Sequence, residues 1–253
     1  MSLESDVANL VTKTNDLLTY FNGKKTAIDT AVNAAIAAIP ATARVWWVDQ
    51  VAGSDSNAGN TREAPFKTID KAMASTPNSG SCQINLLSDY TLNYQVVSSC
   101  AYVYIYGGIL STAPKLKVQY YQQTDTNQVV QTMLGGFLMS TQYSQIEIRQ
   151  VEIVLPSSVG VSPVPSNMRF CSLIRTNAGS NLPPLLGVSL ETLAITMDAS
   201  FIGWLIGSST TPVSLNANSV TFPSGFGGKY VNGVAAGTDP KTLNYLITNL
   251  TAL

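Results

Sequence analysis

The chain has 253 residues, 14 basic and 15 acidic side chains, a formal net charge of −1, three cysteines and no histidine. That balance excludes a basic surface for nucleic acid, and no apolar run approaches the roughly 20 residues a spanning helix needs. Without histidine, neither a Ser-His-Asp nor a Cys-His nucleophile system can be built within one chain. Any catalysis would rest on carboxylates, lysines or tyrosines.

Charged residues make up only 11% of the chain, against roughly 25% in ordinary soluble domains. This predicts that much of the surface is hidden against copies of the same chain, because obligate interfaces are depleted in charge. Cys82, Cys100 and Cys171 are widely spaced and form no CxxC motif. They read as small buried apolar residues rather than metal ligands. No metal or other cofactor is expected. The opening segment "MSLESDVANL" has neither a basic n-region nor an apolar h-region, which argues against a signal peptide.

Residues 1–40 carry a heptad pattern. Leu3, Val7, Leu10, Thr14, Leu17, Phe21, Lys24, Ile28, Ala31 and Ala35 alternate in spacings of four and three, the signature of a coiled-coil seam. A second apolar set, Val32, Ile36 and Ile39, loosens the register after Ile28. Asn22-Gly23 either weakens this helix locally or marks a turn between two helices, and Pro40 ends it. The stripe needs burial. Packing on the chain's own domain is one reading; an oligomerising coiled coil held by Leu3, Val7, Leu10, Leu17, Phe21 and Ile28 is the preferred one.

From residue 82 onward the pattern becomes extended. Short runs rich in Val, Ile, Leu and Tyr recur: Ile84–Leu87, Tyr102–Tyr106, Leu116–Tyr121, Met133–Met139, Ile146–Leu155, Arg169–Ile174, Val188–Met197, Phe201–Ile206 and Val213–Phe222. The body, 82–234, is therefore mainly β. Its quasi-regular rhythm suggests a solenoid, with a β-sandwich as the alternative. In "AYVYIYGG", Val103 and Ile105 face inward while Tyr102, Tyr104 and Tyr106 face outward. These tyrosines, with Trp204, are the candidate receptor surface, by stacking on sugar rings; the competing reading is packing on a neighbouring strand or protomer. The final stretch, 235–253, contains Asp239-Pro240 as a cap pair followed by Leu243, Leu246, Ile247 and Leu250, which predicts a helical tail.

The segment 41–81 holds the most specific pattern. An apolar strand ends in Val48-Asp49. Gly53, Asp55, Asn57 and Gly59 follow in a small-residue loop, then Thr61, Pro65-Phe66, Thr68-Ile69 and Ala72. Over about residues 45 to 75 this resembles the opening of the pectate-lyase-like right-handed β-helix of phage tail spikes and tail fibres. The resemblance implies a right-handed parallel β-helix preceded by a trimeric α-helical coiled coil, with Gly53, Asp55, Asn57, Gly59, Pro65, Phe66, Ile69 and Ala72 forming a cap over the first coil. It also implies a homotrimer in the virion, made in the bacterial cytoplasm and attached to other tail or baseplate proteins through its N-terminal segment. Its partner there would be a bacterial surface glycan. The expected role is a structural virion protein for attachment or linkage. Two alternatives stand beside it: a glycan-depolymerising spike and a head or collar decoration fibre. Eleven carboxylates lie beyond the first forty residues, and no pair stands out by spacing as the acid/base couple, about 5 to 9.5 Å apart, that glycan hydrolysis needs.

Overall fold

The computed structural model describes residues 2–38, 42–141, 143–166, 170–176, 185–207 and 211–253. The chain divides into two units, 1–41 and 42–253. The first is a single helix, α1 (Leu3–Ala38, 36 residues), which continues through Asn22-Gly23 without a turn. Ser2 accepts from the Ser5 backbone N–H at its start, and Glu4 and Asp6 in the first turn suit the positive end of its dipole. Leu3, Val7, Leu10, Leu17, Phe21 and Ile28 are all more than half exposed within the single chain. The expected trimeric coiled coil is corrected to the one helix that makes up this unit. The helix-ending Ile39 and Pro40 lie outside the described residues, as does Arg169.

The second unit is built on parallel strands. Its elements in chain order are β1 (Ala43–Val48), α2 (Ile69–Ala74), β2 (Ser81–Leu86), β3 (Tyr90–Leu92), β4 (Gln95–Ser98), β5 (Tyr102–Tyr106) and β6 (Lys115–Val118). Then come β7 (Tyr120–Thr124), β8 (Val130–Leu134), β9 (Gly136–Met139), β10 (Gln145–Arg149), β11 (Glu152–Leu155) and β12 (Ser172–Thr176). The series closes with β13 (Leu186–Met197), β14 (Trp204–Gly207), β15 (Val213–Thr221) and β16 (Leu246–Thr248). A ten-stranded sheet runs β1-β2-β5-β10-β13-β11-β6-β3, with β15 beside β13 and β16 beside β15. A four-stranded sheet runs β14-β12-β9-β4, and β7 and β8 form a separate antiparallel pair.

Alternation decides which side chains enter the core. Along β5, β10 and β13 up to Glu191 every second residue is buried, and register lines these positions up. Cys82, Val103, Ile146, Val188 and Leu215 form one inward row; Trp46, Ile84, Ile105, Ile148, Leu190 and Ala217 form the next. In the smaller sheet Val96, Phe137, Ile174 and Ile206 make a third row, all fully buried. Burying each such side chain contributes about 1.5–3 kcal/mol. All three cysteines are buried free thiols. The guanidinium of Arg175, buried, donates to the Phe170 carbonyl at 2.6 Å and to Gln95 Oε1.

The expected regular right-handed β-helix is corrected to a mostly parallel sheet curled into a half-barrel. The physical reason lies in twelve-residue β13. It pairs with β10 through Gly187–Glu191 and with β11 through Ala194–Met197, so the strand passes through the bend unbroken. The bend consumes a single left-handed residue per strand: Gln150 (φ 53°), Thr192 (φ 50°) and Ser219 (φ 55°). Each follows the last outward residue of a shared rung, Arg149, Glu191 and Asn218. The antiparallel β7–β8 hairpin further interrupts any uniform repeat.

The C-terminal stretch also departs from expectation. Asp239 caps only one 3₁₀ turn, Pro240–Thr242, by accepting from the Lys241 N–H. The chain then extends, and β16 joins β15 through Val213↔Leu246 to Leu215↔Thr248. Leu246 is buried in this strand while Ile247 points away, 76% exposed. The spacing of Leu243, Leu246, Ile247 and Leu250 fits a helix, and the helical reading failed because the free edge of β15, which takes up Leu246–Thr248, was invisible in sequence.

Thr192 is β-branched and sits in the left-handed region, a conformation that costs about 1–2 kcal/mol for a residue with a Cβ. Thr192→Gly removes that strain against the backbone entropy glycine brings. The variant is expected to be more stable by about 0.5–1 kcal/mol; chemical denaturation checks this, and a loss of stability would show that the Thr192 side chain supports the bend.

Candidate functional site

Two surfaces carry the residues singled out by sequence: the loop around α2 and the outer face of the large sheet. In the loop, polar groups are consumed by the backbone. The Asp55 carboxylate accepts from the Lys67 and Thr68 N–H groups and the Thr68 hydroxyl, each at 2.9 Å. Thr68 in turn caps α2 by accepting from Lys71 N. Asn57 donates to the Pro65 carbonyl at 2.8 Å.

Gly53 and Gly59 are required sterically. A Cβ on Gly53 would lie 2.3 Å from the Phe66 carbonyl oxygen, and Gly59 (φ 70°) sits against the Phe66 ring. Phe66 is buried against Trp46, ring centroids 5.1 Å apart, with Ile69, Ala72 and Met73 beneath. The loop also closes one edge of the sheet. Trp47 and Asp49 donate to Gly59 and Phe66 carbonyls, and Phe66 donates back to Trp47. Burial pushes the Asp49 carboxyl up, but bonds from Ala52, Ser88 and Val51 outweigh it and hold it below the usual range. Asp70, beneath the Tyr94 hydroxyl at 2.5 Å, is pushed up by burial. Every one of these contacts shapes the loop.

The outer face is different, because most of its side chains reach solvent, the buried Asn85 excepted. Two rungs cross it. One runs Val45, Gln83, Tyr104, Glu147, Ser189, Asn216; the other Trp47, Asn85, Tyr106, Arg149, Glu191, Asn218. Six strands spaced about 4.8 Å apart make a face roughly 24 Å wide. The Tyr104 and Tyr106 rings stack with centroids 5.6 Å apart and planes 27° from parallel. Arg149 pairs with Glu191 at 3.6 Å. The Tyr102 hydroxyl donates to Glu147 Oε2 at 2.6 Å. Beside it a niche of about 160 Å³ is lined by Tyr102, Gln145, Glu147, Gly187, Ser189 and Asn216. A Cβ on Gly187 would meet Gln145 at 2.9 Å, so the glycine keeps the niche open.

The structure therefore gathers Tyr102, Tyr104 and Tyr106 on one face and separates Trp204 from them. Trp204 lies on β14 in the other sheet, with the Lys229 ammonium 5.5 Å from its ring. Trp47 was missed by sequence reasoning, although the alternation of "RVWWV" points Trp46 inward and Trp47 outward. The Arg149–Glu191 pair was invisible because it joins strands forty residues apart. Among the described residues no group of three or more Cys, Asp or Glu could hold a metal ion, and no helix is long and apolar enough to cross a membrane.

No protein-family model and no curated protein matches the chain. A solved structure, the glycoside hydrolase family 136 lacto-N-biosidase from Eubacterium ramulus, aligns over 76% of this chain at 18% identity and a TM-score of 0.35. The match covers 32% of the enzyme's own chain. This likeness is to a glycoside hydrolase rather than to a phage tail spike or tail fibre, which corrects that assignment together with the structural virion role and the head or collar alternative. A likeness this distant does not carry the enzyme's activity to this chain.

Burial, and then the bond to Glu147, push the Tyr102 phenol well above its usual value. A folded pKa above the unfolded one means that the folded chain holds this proton longer. The contribution is complete below about pH 10, the unfolded phenol's value, and is lost as pH rises beyond it. Tyr102→Phe is expected to be less stable at neutral pH and to lose less stability than the natural chain on going to alkaline pH. Thermal unfolding across that range checks this; parallel curves would mean that the hydroxyl is not held by Glu147.

Proposed function

We propose that the outer face of the large sheet binds an extended glycan chain lying across its strands. The observation that carries this reading is the pair of rungs in which stacked Tyr104 and Tyr106 sit between the Gln83 amide on β2 and the Glu147, Arg149 and Glu191 groups on β10 and β13. A sugar ring presents an apolar C–H face and a rim of hydroxyls. Aromatic rings take the first; amides, hydroxyls and carboxylates pair with the second. Trp47 extends the aromatic row, and Ser189, Asn216 and Asn218 extend the polar one. Rigid strands hold these groups in place, so little order has to be imposed on binding.

Assembly into a homotrimer fits the same reading. Several copies of one weak saccharide face on a single particle would raise overall avidity without any new contact. Glu147 and Glu191 stand on neighbouring strands, two positions apart in register, and this favours a second reading in which the bound chain is also cleaved.

Affinity electrophoresis against a panel of bacterial polysaccharides tests the binding. Tyr104→Ala and Tyr106→Ala are each expected to weaken retention by about tenfold, the cost of losing one stacking contact of about 1–3 kcal/mol, with the fold unchanged. Unaltered retention in both variants would reject the face as the site. Release of reducing ends from a retained polysaccharide, abolished in Glu147→Gln, would establish the cleaving reading.

A further inference from the structure

The niche on the outer face lies between two outward rungs, one through Gln145 and Gly187, the other through Glu147, Ser189 and Asn216. On the second rung Tyr104 stands beside Glu147, one strand spacing of about 4.8 Å away. A sugar ring stacked on Tyr104 therefore has substituents within reach of the opening. The space measures about 160 Å³. A hydroxyl is about the size of a water molecule, whose share of liquid volume is roughly 30 Å³, so a bare hydroxyl would leave most of the niche empty. The volume suits a substituent of several heavy atoms. Gly187 provides it: its neighbours in the rung, Gln145 and Ser214, both carry side chains, and a Cβ at the glycine would press on Gln145.

The groups still free to bond narrow the choice of substituent. The Tyr102 hydroxyl takes Glu147 Oε2, and the other carboxylate oxygen, Oε1, has no partner among the described residues. Asn216 gives an N–H to Ser189 Oγ at 3.3 Å and keeps its carbonyl oxygen. The side-chain amide of Gln145 is exposed and makes no hydrogen bond among the described residues. The niche thus offers an acceptor at Glu147 and a donor at Gln145. Its lining holds a carboxylate and no basic side chain, so an acidic substituent would meet a like charge without a counter-charge. An amine would pair with Glu147 and leave the space unfilled. An acetamido group supplies one N–H, one carbonyl oxygen and a compact methyl.

We propose that the niche receives the acetamido group of a sugar stacked on Tyr104, and that the outer face thereby selects glycans built from N-acetylated sugars. This rests on the reading of the face as a glycan site. The acetamido N–H donates to Glu147 Oε1, its carbonyl accepts from Gln145 Nε2, and its methyl occupies the gap at Gly187.

The test uses the full chain and three tetrasaccharides with the same β-1,4-linked backbone that differ only at C2: cellotetraose with a hydroxyl, chitotetraose with an acetamido group, and de-N-acetylated chitotetraose with an amine. Titration calorimetry gives the dissociation constants. Chitotetraose is expected to bind about tenfold more tightly than either of the others, the equivalent of about one net hydrogen bond. In Gly187→Ala, which narrows the niche, and in Gln145→Ala, which removes the donor, that advantage is expected to shrink to about twofold or less, with Tm confirming that each variant is folded. Equal binding of the three, with all weakened in Tyr104→Ala, would overturn the acetamido inference and leave the glycan face standing. Tighter binding of the amine form, or an advantage unchanged in both variants, would overturn it as well. Binding of none of the three would also reject it; the face itself would then stand or fall by the polysaccharide panel and its loss of retention in Tyr104→Ala.

Discussion

Everything on the surface of the large sheet depends on register. Parallel strands with a side-chain period of two place Val103 beside Ile146 and Val188, and Ile105 beside Ile148 and Leu190. A slip of one residue in any strand would turn its apolar row to solvent and send Tyr104, Glu147 or Ser189 into the core. The buried rows therefore also fix the outward rows. Tyr104 and Tyr106 are stacked two residues apart because Val103 and Ile105 are anchored below them.

The same stacking accounts for the low charge of the chain. Each outward side chain stands about 4.8 Å from its neighbours on adjacent strands, and like charges at that spacing repel. Amides, hydroxyls and tyrosines avoid the difficulty. Several charges on the sheet are matched by a neighbour: Lys115 with Glu152, Arg149 with Glu191, and Lys117 with Asp89 just before β3. Being partly exposed, these pairs contribute little to stability; their value is in keeping the rungs compatible. Hidden subunit interfaces, the expectation drawn from composition, are not needed to explain an 11% charged content.

Local features were legible in the sequence and their assembly was not. Alternation in "AYVYIYGG" located β5 and its outward tyrosines, and the small-residue loop with Gly53, Asp55, Asn57 and Gly59 is a tight turn region whose bonds converge on Phe66 and Thr68. The curl escaped notice because it turns on single residues, Gln150, Thr192 and Ser219, none of which is the glycine that ordinarily marks a left-handed position. The run Ile146–Leu155 read as one strand and is two, β10 and β11, parted by that same corner. Of the outer face, the tyrosines could be read from one strand alone. Arg149, Glu191 and Trp47 joined them only once pairing between distant strands was known.

The β1 and β16 edges of the large sheet are unlike in a way that bears on solution behaviour. At β1 the edge is occupied by the backbone of Gly59 and Phe66. At β16 the strand is paired on one side only, with Ile247 exposed. Edge pairing between copies needs free backbone on both partners. The loop that shapes the start of the sheet therefore also acts as a guard, closing the β1 edge to a second copy.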